Sequence, residues 1–114
     1  MIGGKFNIEL DGQTREMAAN FGFVEMVEQM VINKPIVQLL DEAINGRMKL
    51  TDLVNVIHLA LKANKDTRLT RDAIGSEIIR VGSTKFMQTY IELLTYAITG
   101  DVELKIDDAS DKKK

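Results

Sequence analysis

The chain has no cysteine, no tryptophan, one histidine and one proline among its 114 residues, and its aromatic content is four phenylalanines and two tyrosines. Each scarcity excludes something. Without cysteine there is no disulfide and no thiolate nucleophile or metal ligand, a composition that fits an intracellular protein. A lone histidine leaves a zinc site without the convergent nitrogen and sulfur ligands it needs. No stretch approaches the roughly 20 apolar residues that cross a bilayer. The opening MIGGKFNIEL has no basic region followed by an apolar run, so neither a signal peptide nor a membrane anchor is expected. An excess of one charge is missing too: 15 Lys and Arg stand against 17 Asp and Glu, a net charge of −2. That balance carries no electrostatic footprint for nucleic acid or anionic lipid, and the expected partner is protein.

What is present is amphipathic helix. The stretch TDLVNVIHLALKA, Thr51 to Ala63, is apolar on every side except a thin stripe of Asp52, Asn55, His58 and Lys62 at steps of three and four. It is expected as the buried central helix, over 51–64, with Thr51 as its cap and the stripe facing solvent. Ahead of it, Lys5 to Leu10 alternates Phe6, Ile8 and Leu10 with polar residues and runs into Asp11-Gly12. This predicts a hairpin over 5–18 on a type I′ turn, with Leu10 facing Gln13, Ile8 facing Arg15 and Phe6 facing Met17.

The period then changes. Phe23, Val24, Val27, Met30 and Val31 predict a helix over 22–32. Pro35 separates it from a second helix over 35–45, in which Ile36, Val37, Leu40, Ala43 and Ile44 form the apolar face and Asn45-Gly46 the stop. A fourth helix over 70–81 starts on Thr70, carries Ala73, Ile74, Ile78 and Val81 on one face, and ends at Gly82. Gly75 inside it suggests close approach of a neighbouring backbone. Ser83 is expected to cap the last helix, over 84–99, whose broad stripe makes it the packing partner of the central helix. Asp101 to Ile106 alternates weakly as a short strand or arm. The expected architecture is therefore mainly α, about five helices and an N-terminal β-hairpin in one compact domain over 1–106, with a charged, disordered tail over 107–114.

No constellation in the sequence matches a catalytic pattern. Asp11-Gly12 lacks the later acidic ligands of a calcium loop, Gly3-Gly4 and Gly82-Ser83 lack the lysine and spacing of a phosphate loop, and Ser76 and Ser83 have no activating base nearby. His58 reads as a solvated histidine. No enzyme, cofactor or metal is expected. Six methionines are many for this length, and flexible thioethers suit adaptable binding surfaces as well as core gaps. Met26 and Met30, one turn apart beside Phe23, together with Phe21 at the Phe-Gly-Phe junction, are the candidate partner-binding residues.

The order of these pieces resembles a family. A strand ending in LDGQTR, the aromatic-glycine junction at Phe21-Gly22, LTDLVNVIHLALKA, DAIGSEII and the closing ELLTYAITG are similar to the small tail assembly chaperones of long-tailed bacteriophages and gene transfer agents, from about Lys5 to Gly100. The resemblance implies a non-enzymatic, mainly helical protein of the infected host cytoplasm. It would bind the tape measure protein, help recruit tail tube protein, self-associate into a homo-oligomer, and be absent from the mature virion. Members of that family are often made in two lengths by ribosomal frameshifting, and by that resemblance Lys112 to Lys114 are expected to be encoded by an adenine-rich slippery stretch. The matching positions are core and capping positions, so no binding role transfers residue by residue. Two other classes remain open at this point: a helix-turn-helix DNA-binding regulator using Lys65, Arg68, Arg71 and Arg80, and another phage morphogenesis protein such as a head-tail connector.

Overall fold

The computed structural model describes residues 4–100, so the strand or arm expected over 101–106, the tail over 107–114 and the slippery-stretch lysines lie outside it. The described residues form a mainly helical body carrying an N-terminal antiparallel hairpin, β1 (Lys5–Leu10) and β2 (Gln13–Ala18). The turn has the geometry that Asp-Gly specifies, with φ of 55° at Asp11 and 75° at Gly12. All three expected cross-strand pairs form, and the face they build is buried through Phe6, Ile8, Leu10, Met17 and the charged Arg15.

The chain continues into α1 (Phe21–Glu25), whose Asn20 cap accepts a 2.9 Å hydrogen bond from the Phe23 N–H. The single helix expected over 22–32 is in fact two pieces, because α1 passes into a π-helix, Met26–Val31. The Ile32 and Asn33 N–H groups both reach back to the Val27 carbonyl, at 3.2 and 3.0 Å. The wider turn rotates the end of the segment, so Phe23 and Val27 are buried while Met30 and Val31, expected on the same face, are exposed.

Four α-helices follow: α2 (Ile36–Ile44), α3 (Leu50–Ala63), α4 (Arg71–Val81) and α5 (Thr84–Thr99). Pro35 is the N-cap of α2 and offers no side-chain acceptor; the Glu28 carboxylate, from the π-helix, takes the Ile36 N–H at 2.8 Å instead. The core face of α2 is Ile36, Leu39, Leu40 and Ala43, so Val37 and Ile44, expected on that face, stand outside it. Helix α3 is enclosed as expected, with Leu53, Val54, Val56, Ile57, Leu59, Ala60 and Leu61 buried. It packs against β2, α4, α1, the π-helix and α5.

Several finer expectations are corrected. Helix α3 begins one residue early, so Thr51 lies within its first turn and Lys49 is an N-cap with no side-chain bond. Ser83 likewise makes no capping bond, its own backbone already being helical. The main partner of α5 is α2 rather than α3, because α3's periphery is already shared among the hairpin, α4 and the α1–π segment. Asp52, expected to face solvent, is buried: the loop before α2 brings Lys34 over it, with Nζ 2.8 Å from Asp52 and 3.2 Å from Glu42. Thr70 does cap α4, its hydroxyl accepting from the Ala73 N–H at 3.1 Å.

Two glycines separate by what surrounds them. Gly4 has φ of 82°, and a Cβ there would come within 2.9 Å of the Tyr96 ring, so both backbone and space require glycine. Gly75 is helical, and its added Cβ would meet only the Val54 methyls at 3.7 Å; the close backbone expected there is not found. Gly75→Ala is therefore expected to raise stability by about 1 kcal/mol, a rise of roughly 5 °C in thermal midpoint by circular dichroism. Gly4→Ala is expected to lower it by about 1–3 kcal/mol in the same measurement.

Candidate partner-binding site

The four residues singled out in the sequence do not gather into one site. Phe21, first in α1, is 77% exposed, and Met30, near the end of the π-helix, is 68% exposed. Phe23 is fully buried and Met26 is half-buried against the core. Phe23 is thus corrected from a partner-binding residue to a core residue: the Asn20 cap fixes the first turn so that Phe21 and Phe23 point to opposite sides. Single apolar side chains on a surface need no special account.

A concavity lined by them does, and it lies elsewhere. Helices α3 and α4 pack together and leave a groove of about 430 Å³ between them, lined by Leu50, Thr51, Val54, Arg71, Asp72, Gly75, Ser76 and Ile79. Its apolar walls are Leu50 and Val54 on α3 and Ile79, 73% exposed, on α4. Gly75 faces Val54 and leaves the middle of the groove open. Sequence reading missed this site. Its signals were an isoleucine off the Ile74–Ile78 seam and a glycine inside a helix with no turn to justify it.

One end of the groove carries Arg71 and, beside it, the carboxylate of Asp72. Arg71, at the start of α4, donates to the Asn55 side chain, and His58 follows one turn along α3. Burial, then Lys62 and Arg71, hold the His58 imidazole below its ordinary value, so it is neutral at pH 7. Among the described residues Lys49, Lys62, Lys65 and Arg71 form no ion pair, whereas Arg68 and Arg80 are held by Asp66 and Glu77 at 2.9 and 2.8 Å. Of the four cations that a DNA-reading α3–α4 pair would use, two are therefore committed to carboxylates.

The remaining polar clusters are structural. Lys34, raised above its ordinary value chiefly by Asp52, ties α2 to α3. Buried Arg15 meets Asp66 at 3.4 Å, which joins the hairpin to the α3–α4 loop. The Tyr90 hydroxyl has no hydrogen-bond partner among the described residues, and burial raises its pKa. Among the described residues no three His, Asp or Glu side chains converge as a metal site, and no helix is long and apolar enough to cross a membrane. No protein-family model, curated protein or solved structure matches the chain.

The ion pairs set an acid limit on stability. Arg68 holds Asp66, Arg80 holds Glu77, and Gln38 with Lys34 holds Glu42, each below its ordinary carboxylate value. The unfolded chain then binds protons more readily than the folded one, so this stabilisation is complete above the ordinary values of 3.8 and 4.5 and is lost as pH falls below them. The thermal midpoint is expected to be flat between about pH 6 and 8 and to fall in acid. Asp66→Asn should lower it at neutral pH, by stranding Arg15, and make the acid decline shallower.

Proposed function

We propose that this chain is a non-enzymatic tail assembly chaperone, which binds the phage tape measure protein in the host cytoplasm, assists tail tube polymerisation and does not remain in the mature virion. The reading rests on the sequence resemblance, which spans nearly all of the described body. The observation that supports it in the structure is the open apolar groove between α3 and α4, whose isoleucine wall, Ile79, is left to solvent. A protein that must hold an aggregation-prone client needs such a surface. Homo-oligomerisation and contact with the tail tube protein belong to the same proposal.

Co-expression with a phage tape measure protein tests it. The expected outcome is a soluble complex that co-elutes in size-exclusion chromatography, with this chain missing from purified particles. An insoluble client beside free small protein would defeat the reading, and recovery of this chain from particles would favour a connector instead.

A further inference from the structure

The geometry points to the occupant of the α3–α4 groove: an amphipathic helix of the client that lays an apolar stripe between Leu50, Val54 and Ile79 and carries acidic residues at the Arg71 end. The inference deepens the chaperone reading and rests on it for the identity of the client. Three observations converge on this occupant.

The first is Gly75. Glycine inside a helix costs about 1 kcal/mol relative to alanine, and nothing among the described residues accounts for it, since its backbone is helical and its Cβ would meet none of them closer than 3.7 Å. Its missing side chain keeps the groove deep enough for another backbone to approach. The second is shape. On α4 the groove runs from Arg71 through Gly75 to Ile79, steps of four that span about 12 Å along the helix. That is the length over which an incoming helix presents residues at i, i+3, i+4 and i+7.

The third is charge. The α3–α4 half carries Lys49, Lys62, Lys65 and Arg71 with no ion pair among the described residues, and of its carboxylates only exposed Asp72, on the α4 rim, is likewise uncommitted; Asp52, Asp66 and Glu77 are already paired. Of these cations Arg71 lines the groove and Lys62 stands near it across His58, while Lys49, just before Leu50, lies beside Glu42. A carboxylate near Arg71 and Lys62 is attracted there, whereas a lysine is repelled. Phosphates share that attraction, but they have no use for an apolar groove, which favours a peptide over nucleic acid.

The test uses the full chain and a synthetic helix of about 15 residues with leucines at i, i+3, i+4 and i+7 and glutamates at one end. A matched peptide with lysines replacing the glutamates and a short DNA duplex serve as competitors. The expected result is saturable binding of the acidic peptide by calorimetry, with NMR shifts centred on Gly75, Ile79 and His58, and binding of the lysine peptide weaker by about tenfold. Gly75→Leu fills the groove without burying a new polar group and should keep or raise the thermal midpoint, while weakening the acidic peptide by about tenfold or more. Ile79→Ser should weaken it similarly, and Phe21→Ala should leave it unchanged.

Equal binding to wild type and Gly75→Leu would overturn the inference. So would DNA binding that Gly75→Leu removes in preference to the peptide, or self-association that Gly75→Leu abolishes, which would give the groove to a second copy of this chain. The two readings fail separately. A tape measure complex unaffected by Gly75→Leu sinks the groove and spares the chaperone; groove-dependent peptide binding without any such complex does the reverse.

Discussion

Everything in this fold answers to the enclosure of α3. A helix with seven buried aliphatic side chains over fourteen residues cannot leave a flank in water, so the hairpin, the α1–π segment, α4 and α5 are all drawn around it. That enclosure reaches even the polar stripe. Asp52 is covered, and a buried carboxylate is tolerated only because Lys34 is delivered to it at 2.8 Å by the loop between the π-helix and α2. The same lysine holds Glu42, so one cation ties two helices together. Arg15 does the corresponding work on the other side, bringing the hairpin's buried face to Asp66.

Much of this was legible because it is local or periodic. The Asp11-Gly12 turn dictated the hairpin register residue by residue, and the spacing of Leu53, Val56, Ile57 and Ala60 marked α3 as central. Helix limits near Gly46, Thr70, Gly82 and Gly100 followed from caps and left-handed glycines. What was not legible depends on contacts distant in sequence. The burial of Asp52 needs Lys34, eighteen residues earlier; the capping of α2 needs Glu28; and the preference of α5 for α2 is a competition among several apolar faces that no single face encodes. The π-helix was invisible because its residues fit a 3.6-residue period well enough to pass for an ordinary helix.

The candidate site divides in the same way. Aromatic and methionine content drew attention to Phe21, Phe23, Met26 and Met30, yet composition does not say which side of a helix a ring occupies, and Phe23 belongs to the core. The groove is a product of two helices meeting, so its residues are spread over positions 50–79 and none is unusual alone. Ile79 and Gly75 become informative only once α3 is seen to lie beside them. A surface built from what the core does not need is hard to find in a sequence, because the pattern that reveals the core is what conceals it.

The π-helix has one more consequence. Between Val27 and Asn33 it stores one residue beyond what an α-helical turn would hold, since the Val27 carbonyl is reached from both five and six residues ahead. The segment is thus a built-in length tolerance. A version of this chain shorter by Gln29 or Met30 can close the same distance as plain α-helix, with buried Val27 and the Glu28 cap of α2 left in place. Length variation at that point alters which apolar side chain the molecule shows to its surroundings while the interior stays as it is.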